Sequence, residues 1–187
     1  MLALTLPLLS GCLGGGTPSA TYDLSVVENF SNVHGYSKAQ ILVPIPTALK
    51  ALDDEGIVIR PSDYEIQYLP NARWPDRLPR VFQSKLVEAL ENTGRIKAVG
   101  KPGDGRVVEY QIVTDIRAFE IRTGEVDEAV IQLSAKIVND RFGRVRASKI
   151  FEARVPSGVS TKRAIRGLNA AMNAILKDMV HWVLKKV

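Results

Sequence analysis

The chain has 187 residues, 45% hydrophobic and 24% charged, with 25 Lys and Arg against 20 Asp and Glu and a formal net charge of +5. That balance excludes a disordered polyelectrolyte and suits a single globular domain with one sizeable core. A lone cysteine excludes a disulfide framework, and no apolar run approaches the about 20 residues of a membrane-spanning helix.

From the N-terminus, Met1 to Leu9 is apolar and charge-free and ends in Leu9-Ser10-Gly11-Cys12. The run is too short to span a bilayer and suits the core of a signal peptide. The four residues that close it read as a lipobox: small side chains at 10 and 11 let an extended backbone enter a processing enzyme, and the Cys12 thiol receives a diacylglycerol. No Lys or Arg precedes the apolar core, so the charged n-region is missing and the natural start is expected upstream or trimmed. The alternative is an unprocessed apolar N-terminus with an incidental cysteine. Leu13 to Thr21 is uncharged and rich in Gly, Ser, Thr and Pro, a tether whose nine residues span roughly 15–18 Å as a coil. Leu13 is not the aspartate associated with inner-membrane retention, so the expected address is the outer membrane, facing the periplasm, held durably by two or three acyl chains. Residues 1–11 are thus read as signal peptide, 12–21 as lipidated cysteine and tether, and 22–187 as one domain.

Within that domain Tyr22 to Phe30 alternates well enough for a strand, and Ile41 to Ile45 predicts a short buried strand ended by Pro44 and Pro46. Ile57-Val58-Ile59-Arg60 and Tyr64 to Leu69 make two short strands around Pro61-Ser62-Asp63, with Tyr64, Ile66 and Tyr68 sharing a face. Asp76 is placed to cap a helix, Pro79 is tolerated in its first turn, and Leu78, Phe82, Leu86, Ala89 and Leu90 form its buried stripe up to Gly94.

Val107 to Ile121 alternates in two phases, first Tyr110, Ile112, Ile116 and Ala118, then Phe119 and Ile121. The switch predicts a bulge or a strand covered on both sides. Val130 to Val138 places Ile131, Leu133, Ala135 and Ile137 in phase, and Val145 to Val155 does the same for Val145, Ala147, Phe151, Ala153 and Val155, with Asn139 to Gly143 as the hairpin turn between them. Ala164, Leu168, Ala171, Ile175, Met179 and Val183 then recur at helical spacing. Strands, helix, strands, helix predicts an α+β fold: a two-layer sandwich of a mixed or antiparallel sheet with two main helices packed on it.

The charge surplus belongs to the last helix. Ser160 to Val187 holds six of the basic residues and one acid, Asp178, and the rest of the chain is balanced. Lys162, Arg163 and Arg166 oppose the helix dipole; they are read either as solvated or as facing an acidic protein or phospholipid headgroups. Nucleic acid is not expected, because no aromatics interleave with these cations.

Catalytic chemistry is nearly absent from the sequence. His34 and His181 have no metal-ligand spacing. Gly100 to Gly105 lacks the Gly-Lys-Ser/Thr ending of a phosphate loop and precedes a strand, so it reads as a surface turn. No nucleophile elbow or paired-acid frame occurs. No enzyme activity, cofactor or metal is expected.

The strongest local signal is Tyr64-Glu65-Ile66-Gln67-Tyr68 followed by Arg73-Trp74-Pro75-Asp76-Arg77-Leu78-Pro79. With the helix Leu86-Val87-Glu88-Ala89-Leu90, the strand Tyr110-Gln111-Ile112, the meander through Leu133-Ser134-Ala135 and Asp140 to Arg144, and the closing Val180-His181-Trp182-Val183-Leu184, the chain resembles the PqiC-like auxiliary lipoproteins of ABC-type transport systems. The resemblance spans nearly all of the chain beyond Cys12 and rests on order and spacing.

It implies a non-catalytic component of a phospholipid transport system anchored in the outer membrane, docking the conduit of an MCE-domain protein that works with an ABC permease and ATPase. It also makes a homo-oligomer plausible. Tyr64, Tyr68 and Trp74 are the candidate partner interface, since aromatics anchor interfaces; the alternative is that they pack the seam between sheet and helix. As an interface, Trp74→Ala abolishes capture of an MCE protein and leaves the fold intact, whereas as core it costs the fold. Two further functions stay open: a carrier domain with its own lipid cavity, which would co-purify with phospholipid, and an envelope scaffold, which would not.

Overall fold

The structure is a computed structural model that describes residues 19–26, 30, 33–104 and 108–187. Cys12, the segment before it and the tether through residue 18 lie outside the described residues. Ordered pairing begins at β1 (Ala20–Thr21) and continues through β2 (Ser37–Leu42), β3 (Thr47–Ala48), β4 (Gly56–Ser62) and β5 (Glu65–Arg73). Then follow α1 (Leu78–Asn92), β6 (Ile96–Gly100), β7 (Tyr110–Arg122), β8 (Glu128–Asn139), β9 (Arg144–Pro156) and α2 (Thr161–Leu184). Among the described residues no helix is long and apolar enough to cross a membrane.

Strand β7 is the axis of a nine-stranded mixed sheet. One edge pairs antiparallel with β8 along its length, from Tyr110 opposite Asn139 to Arg122 opposite Glu128, and β8 pairs likewise with β9. The other edge is tiled by three short parallel partners: β2 at Tyr110, β3 at Asp115 and β4 at Glu120. β6 lies outside β2, while β5 and β1 lie outside β4. This is the expected α+β architecture, with both helices on one sheet face.

The two-phase pattern of β7 is a bulge. Its register with β8 shifts between Ile116 and Ala118, so Arg117 is the extra residue and the inward set passes from Ile112 and Ile116 to Phe119 and Ile121. Those four stand opposite Ile137, Leu133, Ile131 and Ala129 of β8, and Thr114 stands opposite Ala135, all buried. From β9 only Phe151 is fully buried, its ring edge-on to Trp182 of α2 with centroids 5.5 Å apart. A second register shift pairs Ile137 with Ala147 but Val138 with Val145, turning Val145 away from the face on which simple alternation placed it.

The helical stripes form as the spacing predicts. Ala164, Leu168, Ala171, Ile175, Met179 and Val183 are all buried, as are Leu78, Phe82, Leu86, Ala89 and Leu90. Gly167 lets α2 approach the sheet: a Cβ there would overlap Ser157 Oγ and sit 3.0 Å from the Ala129 Cβ. Gly94 ends α1 at φ +60, its N–H donating to the Glu91 carbonyl.

Several local expectations are corrected. Asp76 does not cap α1: the N-cap position is Arg77, without a side-chain cap, and the Asp76 carboxylate accepts the Arg77 N–H. The helix start is held instead by a distant loop, where Asp54 O accepts the Leu78 N–H, Glu55 O accepts the Trp74 N–H, and Asp53 pairs with Arg77. Tyr22–Val26 makes no strand; it runs beside the helices, where Asn169 of α2 accepts the Ser25 N–H and Lys85 of α1 pairs with Asp23. Residues 27–29 of that expected strand lie outside the described residues. β2 begins earlier, at Ser37, and β7 later, at Tyr110, while β1, which falls in the expected tether, and β3 and β6 have no counterpart in the sequence reading. Gly100 closes β6, and beyond it Asp104 Oδ2 accepts the Lys101 N–H at 2.8 Å, which is turn geometry.

Candidate docking surface

Register determines which side chains occupy the sheet face away from the helices. Phe119 and Ile121 point toward the helices, so Glu120 between them points away, and its neighbours on that side are Val58 of β4 and Val130 of β8. Val58 in turn pairs with Tyr68. Tyr64, Ile66 and Tyr68 therefore form an exposed stripe along β5 on the helix-free face. Tyr64, at the β4–β5 turn, is 99% exposed. Tyr68 is 46% exposed and anchored: its ring covers Gly56, where a Cβ would overlap it, and its hydroxyl donates to the Ala51 carbonyl at 3.2 Å.

Beside this stripe lies an ion-pair lattice across four strands. The Glu120 side chain is 1% exposed, and its Oε1 accepts from Arg60 Nε and Arg122 Nε, each at 2.8 Å. Oε2 is buried without a protein partner. The two guanidiniums cover the carboxylate and are themselves partly exposed, 23% for Arg60 and 38% for Arg122. Further along, Arg154 joins Glu152 at 2.7 Å and Glu128 at 3.4 Å. Gln132 donates to Glu152, and with Arg154 it holds the Glu152 carboxyl below the usual carboxylate range. The lattice is buried at Glu120 and exposed at its rim.

The three aromatics singled out from the sequence are not brought together. Trp74 is 1% exposed, and its ring stands edge-on to Phe119 with centroids 5.9 Å apart at 89°. It belongs to the core, because the β5 backbone, with Asn71 in the left-handed region at φ 54, delivers residue 74 to the helix side of the sheet. Only Tyr64 and Tyr68 remain as surface candidates. Glu120 with Arg60 and Arg122 was missed by sequence reading; the available signal was a glutamate inside the apolar run Ala118-Phe119-Glu120-Ile121. Among the described residues no group of three or more His, Cys, Asp and Glu side chains could hold a metal ion. His34 is exposed, and His181 Nδ1 lies 2.8 Å from the Lys177 carbonyl within α2.

Comparison with known proteins places this fold. An uncharacterized protein of Bradyrhizobium diazoefficiens is 30% identical over 177 residues, covering 93% of this chain and 48% of that protein. The chain thus spans about half the length of the curated relative it matches. The crystal structure of a Xanthomonas campestris protein superposes with a TM-score of 0.81 at 27% identity, covering 89% of this chain and 96% of that one. A PelC dodecamer from Paraburkholderia phytofirmans shares the fold at a TM-score of 0.52 and 11% identity, covering 89% of this chain and 96% of that one. The family model for the ABC-type transport auxiliary lipoprotein component matches residues 22–180, and the chain belongs to that family.

Proposed function

We propose that this chain is a non-catalytic docking module, lipidated at Cys12 on the periplasmic face of the outer membrane, which receives the MCE-domain conduit of an ABC-driven phospholipid transport system. The observation that carries the reading is the helix-free sheet face, where Tyr64, Ile66 and Tyr68 stay exposed beside a pinned ion-pair lattice. Aromatic anchors next to preorganised charge are what a specific protein interface needs. Energy for transport comes in this reading from the permease and ATPase.

The test is capture of an MCE-domain protein by the lipidated chain. Replacing both Tyr64 and Tyr68 by Ala lowers capture roughly tenfold, the size of one lost aromatic anchor. Circular dichroism stays unchanged and the melting temperature moves little, since neither ring is in the core. Capture equal to wild type sinks the docking role.

The address has its own test. Cys12→Ala yields a folded protein that a high-salt wash releases from the outer-membrane fraction; a variant that still sediments with outer membrane after that wash contradicts lipid anchoring through Cys12.

A second copy of the chain is the competing occupant, favoured by the outer edge of β9, which among the described residues pairs only with β8, and by the dodecameric state of the PelC neighbour. Sedimentation of the chain alone distinguishes the two.

A further inference from the structure

The pole of the molecule opposite Tyr64 has a different chemistry. β7 separates the two poles by roughly 40 Å at the rise of a 13-residue strand. Three elements converge there: the loop before β2, the hairpin turn between β8 and β9, and the C-terminal end of α2, with Gly35 packed against the Leu184 carbonyl. Between them opens a cleft of about 790 Å³ whose wall includes Tyr36, Lys38, Tyr110, Arg141, Phe142 and Val187.

Two large aromatics stand exposed at the rim, Tyr36 at 64% and Phe142 at 66%. Neither is needed for the core, and Phe142 occupies the tip of the hairpin, where a polar residue would serve the turn equally well. Cations surround them. Arg141 lies over the Phe142 ring at 5.4 Å, and Arg146 lies over Tyr110 at 5.4 Å while donating to its hydroxyl at 3.1 Å. Lys38, Arg144, Lys185 and Lys186 are exposed on the same pole. The opposing acids, Glu109, whose Oε2 accepts the Gln40 N–H, and Asp140, whose Oδ1 accepts from Gln111 Nε2, are outnumbered by these six cations. Exposed aromatic tips ringed by basic side chains match an anionic lipid surface, where the rings sit at headgroup depth and the cations meet phosphates.

We infer that this pole is a membrane-contacting surface that binds anionic phospholipid through Tyr36 and Phe142 and the surrounding lysines and arginines. It acts apart from the Cys12 lipid and from the docking face proposed above. Each cation near such a surface raises partition roughly fivefold, so several together hold a domain that a single apolar contact would not. The bilayer replaces water around the rings, and the phosphates replace counterions around the cations.

The experiment uses the full chain carrying Cys12→Ala, so that no acyl anchor supplies binding, together with Phe142→Trp. Trp74 and Trp182 are buried, so they contribute a steady background. With vesicles of phosphatidylglycerol and phosphatidylethanolamine the new indole shifts to the blue and is quenched by acyl-brominated lipid, whereas vesicles of phosphatidylcholine alone leave it unchanged. Adding Arg141→Glu and Lys186→Glu to that chain, or raising the salt, weakens partition by roughly tenfold or more. A matched chain carrying Tyr64→Trp, at the far pole, shows no shift. The inference is overturned by an unmoved Phe142→Trp signal on anionic vesicles, which would leave the cations to an acidic protein partner. An equal response on neutral vesicles, or an equal response from Tyr64→Trp, overturns it too. Because vesicles contain no partner protein, its failure is separate from failure of the docking role.

Discussion

Trp74→Ala lowers the unfolding free energy by about 3–5 kcal/mol, the range for emptying a buried indole. In a domain of this size that is a melting point about 10 °C lower, or more. The ring is 1% exposed and edge-on to Phe119, and Phe119 lies just past the bulge that sets the inward phase of β7. Removing the indole opens a cavity against the central strand, and the helix side cannot collapse into it without moving α1, which begins four residues later. Urea unfolding of wild type and variant measures the difference. A change below about 1 kcal/mol, the scale of ordinary surface substitutions, contradicts the placement of Trp74 in the core. Loss of partner capture in this variant then reports unfolding, so the docking test belongs to Tyr64 and Tyr68 alone.

The second large effect is expected at Glu120. Taking one partner from a buried ion pair costs 3–5 kcal/mol when the remaining charge is trapped. Here Arg60 and Arg122 are 23% and 38% exposed, so water recovers part of their solvation and Glu120→Ala is expected to cost about 2–3 kcal/mol. Two strands lose a shared fastening, because Arg60 stands on β4 while Glu120 and Arg122 stand on β7. Glu120→Gln keeps the oxygen that both arginines use and loses the charge, so its cost falls between wild type and alanine. Chemical denaturation ranks the three proteins. If alanine and glutamine are equally destabilised, the shared Oε1 contributes nothing beyond charge, and if neither is destabilised the lattice does not hold the sheet.

How far the sequence anticipates the structure depends on the range over which each feature is specified. The stripes of α1 and α2 and the alternation of β8 were legible, because an element's own period decides which of its residues share a face. The hairpin at Asn139 to Gly143 was legible for a similar reason: its turn chemistry is local, with Gly143 at φ +63. The phase switch in β7 announced an irregularity, and only the pairing with β8 showed it to be a bulge at Arg117. The helix start at Leu78 was legible in position and misread in cause. Asp76 stands where a cap belongs, yet the Leu78 N–H is met by the Asp54 carbonyl from a loop more than twenty residues away.

The surface candidates divide the same way. Tyr64, Tyr68 and Trp74 form one aromatic cluster along the chain, but the left-handed Asn71 and the irregular β4–β5 register carry Trp74 across the sheet. Glu120, the best-buried acid among the described residues, and the pole where Tyr36, Phe142 and the end of α2 meet are assembled from segments far apart in sequence.

The sequence by itself therefore determined the α+β class, the helix faces and the inward set of β8, since these follow from local period and composition, while the order and spacing of its motifs carried the resemblance to the family. Tertiary structure alone decided which aromatics are core and which are surface, what caps α1, and which charges stand together. Those outcomes depend on register and on neighbours brought close only by folding, and no local pattern encodes them.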